Sequence, residues 1–423
     1  MRRFALKLLK LCVAIAVLSL VSISCRPIPT NADESNDNPN IDLYDQILSV
    51  SDVLNLEPEQ IDIVDVCFML ETETGWGDNT QRARANLILQ EIERKVARQI
   101  RSYDNGERRV FKLVNSIFES GFLVDKDDPE GHNPENLYLS SVITRRKGYC
   151  VSLSFVALAI AQRLRLNRNI FIPIQGVRAP KHFFVRYVSK DKGLEKNYEM
   201  TNYGANRNKF DYLNALGLPL AYVNLKPYFK ALDNKQIFSD LINNVGANNI
   251  LASNYKEALN WLKIASNFDP GNPQPLYNQA YIYEHQEDFT QSISFLNQAI
   301  KLDPNFYEAR TARGKLYCDL GNPTEGLKDF EFVIDNYKYR HEAFLMRGVY
   351  FAKNADYKAA LTDLKRAEKL SPYDKDTNMN LLNLYLRQNM LADAAPIAEK
   401  LEHIAPDDPQ VRKLLEIFAK ANK

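Results

Sequence analysis

Apolar residues follow several rhythms along this chain, and each rhythm predicts a different kind of element. Across residues 42–124 they fall at helical spacing. DIVDVCFMLETE is amphipathic, and RARANLILQEIERKVARQIR carries Leu87, Ile88, Ile92, Val96 and Ile100 on one stripe. From Val151 onward the chain is apolar nearly all round (Leu153, Phe155, Val156, Leu158, Ile160, Leu164), which predicts a helix at the centre of a domain. Alternation follows. Ile170, Ile172 and Ile174 interleave with Phe171, Pro173 and Gln175, residues 182–188 are β-rich, and residues 197–200 form a third run. Asp191-Lys192-Gly193 is a turn signal between the last two. The pattern predicts an α+β core with a helical N-terminal half, a central helix and a small antiparallel sheet. Residues 125–134 are a polar loop leading toward the central helix, and residues 204–238 are a mixed linker with short helices.

Near residue 239 the rhythm becomes a repeat of 34. Pro270, Pro304, Pro372 and Pro406 share one phase, with Lys338 in the remaining slot. Ala258, Ser292, Gly326, Ala360 and Ala394 are all small, and Tyr283, Tyr317, Phe351 and Tyr385 are all aromatic. A period of 34 with these classes is the tetratricopeptide helix–turn–helix signature. Small residues let paired helices approach, aromatics fill the space beside them, and proline marks the exit of the second helix. Five repeats fit residues 239–408, and residues 409–423 form a capping helix with Val411, Leu414, Leu415 and Phe418 on one face. The first helices of such repeats line a concave surface, which here carries Tyr277, Tyr281, Lys315, Leu345 and Lys353. That surface serves either an external protein partner or the packing of the array on its own core. A core ending near Phe238 is expected to be separable from the repeats.

Candidate chemistry sits where the central helix begins. Cys150 opens that helix two residues after Gly148. A thiol in a first turn faces N–H groups without intrahelical acceptors and the positive end of the helix dipole, and both favour thiolate. Centring the β-turn between Lys190 and Asp191 sets His182 opposite Glu199. Directly paired residues have Cβ atoms about 4.5–5.5 Å apart, close enough for a carboxylate to hold an imidazole. A register shift of one residue would turn Glu199 to the other face. Thiol, base and orienting carboxylate are what nucleophilic thiol catalysis requires. Taken singly, each residue has an ordinary reading: a buried small hydrophobe, a capped histidine and a surface acid. His132 is a rival base in a solvated loop, and Trp76 in ETGWGDN lines a cleft or packs a loop tip. The backbone N–H of Cys150 is the natural oxyanion donor.

RRKGYCVSLSFVALAIAQRL, KHFFVRY and NYEMTNYG resemble the signature blocks of the transglutaminase-like superfamily, in particular a bacterial branch with tetratricopeptide repeats behind the core. The likeness covers roughly residues 42–238 in outline. It implies a papain-like core and a Cys-His-acid triad of Cys150, His182 and Glu199. Glu199 stands where the wider superfamily has Asp. Members of this branch that lack the cysteine are known, and here it is present.

Composition narrows the partners. The chain has 423 residues, enough for two or three domains, and 54 basic against 53 acidic side chains. Its net charge of +1 falls to −3 without the leader cations Arg2, Arg3, Lys7 and Lys10, which argues against nucleic acid. Those cations precede a short apolar run and Ser22-Ile23-Ser24-Cys25, which resembles a bacterial lipobox. Residues 1–25 are therefore read as a lipoprotein signal, Cys25 as the lipidated residue, and residues 26–41 as a polar tether to a membrane, facing the periplasm. An ordinary signal peptide and an uncleaved anchor are the alternatives. Cys67, Cys150 and Cys318 remain, too scattered for a disulfide framework. No metal, nucleotide or other cofactor motif is present in the sequence. Two readings follow: an exported thiol enzyme acting on peptide or protein amides, or an inert core whose repeats hold a partner at the membrane.

Overall fold

The computed structural model describes residues 49–128, 133–189, 195–216, 218–225, 227–337 and 339–422. The leader with Cys25, the tether, His132, the turn at 191–193 and Lys338 lie outside these residues. Residues 47–423 form one compact unit.

Helices α1 (Ile63–Glu73), α2 (Asn79–Gln99), α3 (Gly106–Glu119) and α4 (Leu139–Arg145) surround α5 (Cys150–Arg168). Asp62, Asp78 and Asn105 cap the first three by accepting backbone N–H groups. Helix α5 buries residues on every side, from Val151 through Leu164. Gln162 on α5 clasps the entry to α1, donating to Ile61 O at 2.7 Å and accepting from Ile63 N at 2.8 Å.

The chain before Cys150 is held tightly. Arg146 ends α4 in the left-handed region (φ 56°), and β1 (Leu123–Val124) pairs in parallel with β2 (Lys147–Gly148). Beneath this pair Arg145 Nη2 and Asn136 Nδ2 both meet Asp125 Oδ2, at 2.8 and 3.0 Å. A Cβ on Gly148 would come within 2.7 Å of Ser152 Oγ and 3.0 Å of Val142 Cγ1, so the turn into α5 requires glycine.

Four antiparallel strands lie on the other side of α5, in the order β5-β4-β3-β6. They are β3 (Ile174–Ala179), β4 (His182–Val188), β5 (Glu195–Tyr198) and β6 (Ala231–Leu232). The first strand begins at Ile174, so the alternation at Ile170 and Ile172 does not form a strand. Pro173 has no N–H for a ladder, and pairing starts just after it. A two-residue turn at Pro180-Lys181 sets Ala179 opposite His182, with Lys181 at φ 56°.

After α6 (Lys209–Leu216), five helix pairs follow among the described residues. They are α7 (Asn234–Leu251) with α8 (Tyr255–Phe268), α9 (Gln274–His285) with α10 (Phe289–Leu302), α11 (Tyr307–Asp319) with α12 (Pro323–Asn336), α13 (His341–Lys353) with α14 (Tyr357–Leu370), and α15 (Lys375–Arg387) with α16 (Leu391–Ile404). Helix α17 (Pro409–Ala421) closes this all-α solenoid. Small residues sit at the helix crossings: Ala258, Ser292, Ala360 and Ala394 are fully buried.

Core and array are not separate bodies. Phe238, inside α7, is buried and meets Phe155 of α5 edge-on at 5.7 Å. Tyr222, Tyr228 and Phe229 join Val177 and Phe184 of the sheet to Tyr307, Val333 and Tyr337 of the array in one apolar cluster. Tyr222 and Tyr228 donate to Asn305 O at 2.6 Å and Asp303 Oδ2 at 3.0 Å. Residues of the segment expected as a linker thus also carry packing between the two parts.

Candidate thiol site

Cys150 is the first residue of α5 and is half-buried. The N–H groups of that first turn have no intrahelical acceptor. The preceding Tyr149 N–H is taken by Ser152 Oγ at 3.1 Å, which fixes the peptide entering the helix. His182 is the first residue of β4, placed by the tight Pro180-Lys181 turn.

Glu199 arrives by a different route from the expected pairing. The β4–β5 register matches Val185 with Tyr198 and Arg186 with Asn197, two positions away from the one that sets His182 opposite Glu199. Continued one step, it sets Glu199 opposite Phe184. A shift of two keeps the face, so Glu199 still meets His182, now on the diagonal. Glu199 lies just past β5, where it caps the 3-10 turn Met200–Asn202. Its Oε2 contacts His182 Nε2, and its Oε1 accepts from Thr201 N at 3.0 Å and Thr201 Oγ1 at 2.6 Å.

With Nε2 on Glu199, the imidazole also lies within electrostatic reach of the Cys150 side chain. Burial pulls its basicity down, but the charge and hydrogen bond of Cys150, followed by those of Glu199, outweigh it and raise the His182 pKa to about 10. Burial pushes Glu199 up, but the His182 and Thr201 hydrogen bonds win and lower it to about 2. Tyr212 walls this pair, with its ring 5.4 Å from His182 and stacked on Phe184 at 4.7 Å. Burial, then the Glu199 charge, raises its hydroxyl pKa, so Tyr212 stays protonated.

The three residues named from sequence therefore meet. Tyr149, Tyr212 and Thr201 carried no sequence signal that could have placed them there. Trp76 stacks on Tyr138 at 4.7 Å and 16°, the packed-loop alternative. Of the concave residues, Tyr281 is exposed, and Lys315 and Lys353 are already paired with Glu284 at 2.6 Å and Asp319 at 2.7 Å. Tyr277 is half-buried against Phe306. Leu345 is corrected: at 4 % exposure it is buried in the apolar cluster that runs from α13 to α17, so packing takes it out of a binding surface. Open clefts of about 560 and 410 Å³ lie elsewhere, beside Arg109 and Phe171 and between α15 and α17. Among the described residues no cluster of three or more His, Cys, Asp or Glu could hold a metal ion.

The sequence profile of the transglutaminase-like superfamily matches residues 83–201, spanning Cys150, His182 and Glu199. Residues 83–201 are a transglutaminase-like domain. Tetratricopeptide-repeat profiles match residues 273–306, 311–375 and 351–416, so protein–protein interaction modules follow this domain. The chain is similar to a UPF0162 protein of Xylella fastidiosa (25% identity over 225 residues, 52% of this chain and 65% of the relative). It is also similar to a UPF0162 protein of Pseudomonas aeruginosa (31% over 113 residues, 27% and 39%). It thus spans less than two thirds of either relative's length. Similar solved structures include PilW, a type IV pilus biogenesis factor (TM-score 0.40, 21% identity, 44% of this chain and 86% of that one). Another is PilF of Pseudomonas aeruginosa (TM-score 0.41, 12%, 45% and 86%).

Proposed function

We propose that the transglutaminase-like domain is a thiol acyltransferase acting on peptide or protein carboxamides. The observation that carries this reading is the His182 imidazole held by the Glu199 carboxylate and close enough to the Cys150 side chain for both to raise its basicity. The Cys150 thiolate adds to the amide carbonyl, and first-turn N–H groups of α5 stabilise the oxyanion. As the C–N bond breaks, the His182 imidazolium protonates the departing amine, leaving a Cys150 thioester. An incoming amine or water then gives its proton to His182 and attacks the thioester, releasing the new amide or the acid and restoring the pair. Glu199 orients the ring and stabilises its charged form. An amine acceptor gives transamidation, and water gives deamidation or peptide cleavage. The repeats serve protein recognition, and lipid on Cys25 tethers the protein to a bacterial membrane.

Alkylation tests the chemistry. Iodoacetamide should label Cys150 much faster than Cys67, which is buried and whose thiol is held protonated by that burial and by Glu71. Cys150→Ala should abolish incorporation of a fluorescent amine into glutamine-bearing protein, with the fold unchanged. Cys150 labelling no faster than a thiol in the unfolded chain would leave an inert core and a scaffold function.

A further inference from the structure

His182 follows a turn that the array grips. Lys181, the residue before it, has φ 56°, a left-handed conformation that tight turns ordinarily give to glycine or asparagine. Lysine adopts it at a cost in backbone strain, and its side chain does what glycine could not. Lys181 Nζ reaches Glu308 Oε1 at 2.5 Å and stands 5.1 Å from the centre of the Tyr307 ring. Both partners lie in the first turn of α11, the first helix of the third repeat pair. Tyr307 is buried, and the Glu308 side chain is only 19% exposed. The negative charge of Glu308 also suits the positive end of that helix.

The start of α11 is itself fixed against the core, since Tyr222 and Tyr228 donate to Asn305 O and Asp303 Oδ2 in the loop before it. The same segment backs the wall of the imidazole. Phe229 packs 6.4 Å from the Tyr212 ring, which lies 5.4 Å from His182. Tyr212 and Phe229 belong to the apolar cluster that Tyr307 and Tyr337 of the array complete. The array thus bears on His182 twice, through its turn and through its wall. A half-exposed ion pair adds little stability in itself. This one fixes the residue joined to the base, so its effect belongs to the geometry of His182 rather than to the stability of the chain.

We infer that the third repeat is part of the thiol site, with Lys181 and Glu308 as positioning residues that keep His182 aligned with Glu199 and Cys150. The inference rests on the acyl-transfer reading and gives the array a task beyond recognition. The test uses the full chain. Lys181→Asn suits the left-handed turn but is too short to reach Glu308. Its melting temperature should match the parent's, while kcat for amine incorporation falls about fivefold, the upper end for a partly exposed ion pair, with KM unchanged. Glu308→Gln should do the same, and the double variant should lose no more than either single one, since both cut one interaction. Lys181→Arg, which keeps charge and reach, should retain the parent's kcat. A second readout needs no turnover: the downfield proton NMR signal of the His182–Glu199 hydrogen bond should broaden in Lys181→Asn and stay sharp in Lys181→Arg. Parent-like kcat and signal in Lys181→Asn, or a kcat that falls only in step with melting temperature, would overturn the inference even if Cys150 is reactive. An inert Cys150 beside a signal that depends on Lys181 would instead retire the chemistry and keep the grip on His182.

Discussion

Glu199 holds His182 with one carboxylate oxygen and is itself held through the other by the N–H and O–H of Thr201. With a pKa lowered to about 2, this carboxylate is charged across the working range. It is one of the causes that raise His182 to about 10, so removing its charge must move His182 downward. Glu199→Gln keeps the shape and removes the charge. The imidazolium should then lose its proton at lower pH, and the alkaline limb of a kcat/KM profile for amine incorporation should shift to lower pH. Activity at neutral pH should fall on the order of 10²-fold, the low end of what a general acid–base group contributes. An unmoved alkaline limb would show that Glu199 does not govern the imidazolium.

The parts of this architecture that were legible in sequence are local. Cys150 at the start of an all-round apolar helix, and the period of 34, are both set by neighbours close in the chain. Registers and long-range contacts were less legible. Pro173 delays the first strand to Ile174, and the β4–β5 pairing runs two positions from the one drawn through Lys190 and Asp191. Glu199 reaches His182 all the same because a shift of two preserves the strand face. The joint between core and array was invisible for another reason. Tyr222, Tyr228, Tyr307 and Tyr337 come together from segments far apart in sequence, and no periodicity marks them as one cluster. Leu345 followed the same limit: repeat phase assigned it to a first helix, but only packing shows that it is buried.

The proposed membrane attachment rests on Cys25. One acyl chain binds membranes marginally, whereas two anchor stably, so a diacylated Cys25 should hold the protein in the membrane fraction. No described helix is long and apolar enough to cross a membrane. Cys25→Ala should move the protein to the soluble fraction, and mass spectrometry of the wild type should find a lipid-bearing N-terminal Cys25. Equal partitioning of both forms, with an unmodified N-terminus, would refute the tether.

Within the array, Gly314 and Gly348 occupy the same phase but are not equally constrained. A Cβ on Gly314 would come within 2.9 Å of Gly326 O, a backbone atom, and of the Phe330 ring. On Gly348 it would meet Leu364 side-chain atoms at 3.0 and 3.1 Å and the Ala360 backbone O at 3.3 Å, all longer approaches than the 2.9 Å to backbone at Gly314. Gly314→Ala should therefore cost about 1–3 kcal/mol by overpacking. Gly348→Ala should cost less, while Gly348→Trp should disrupt the array. Urea denaturation midpoints read the difference, and equal midpoints for the two alanine variants would contradict the packing argument.

The final prediction concerns the joint between core and array. Arg178 on β3 is buried, and its Nε meets Asp240 of α7 at 2.7 and 3.0 Å while its Nη1 meets Asp269 at 2.9 Å. Neither carboxylate has water enough to replace it, since side-chain exposures are 14% and 6%. Removing one partner of a buried ion pair leaves uncompensated charge, which costs about 3–5 kcal/mol, whereas a surface pair would cost under about 1 kcal/mol. Arg178→Ala should therefore destabilise the whole chain rather than one half. Calorimetry should show one cooperative transition in the wild type, and the same single transition at lower temperature in the variant. A chain ended after Phe238 cuts through α7 and exposes the aromatic cluster of Tyr222, Tyr228 and Phe229, so it should aggregate. Two separate transitions in the wild type, or a soluble and folded truncated core, would show that the repeats are an appendage rather than part of one fold with the core.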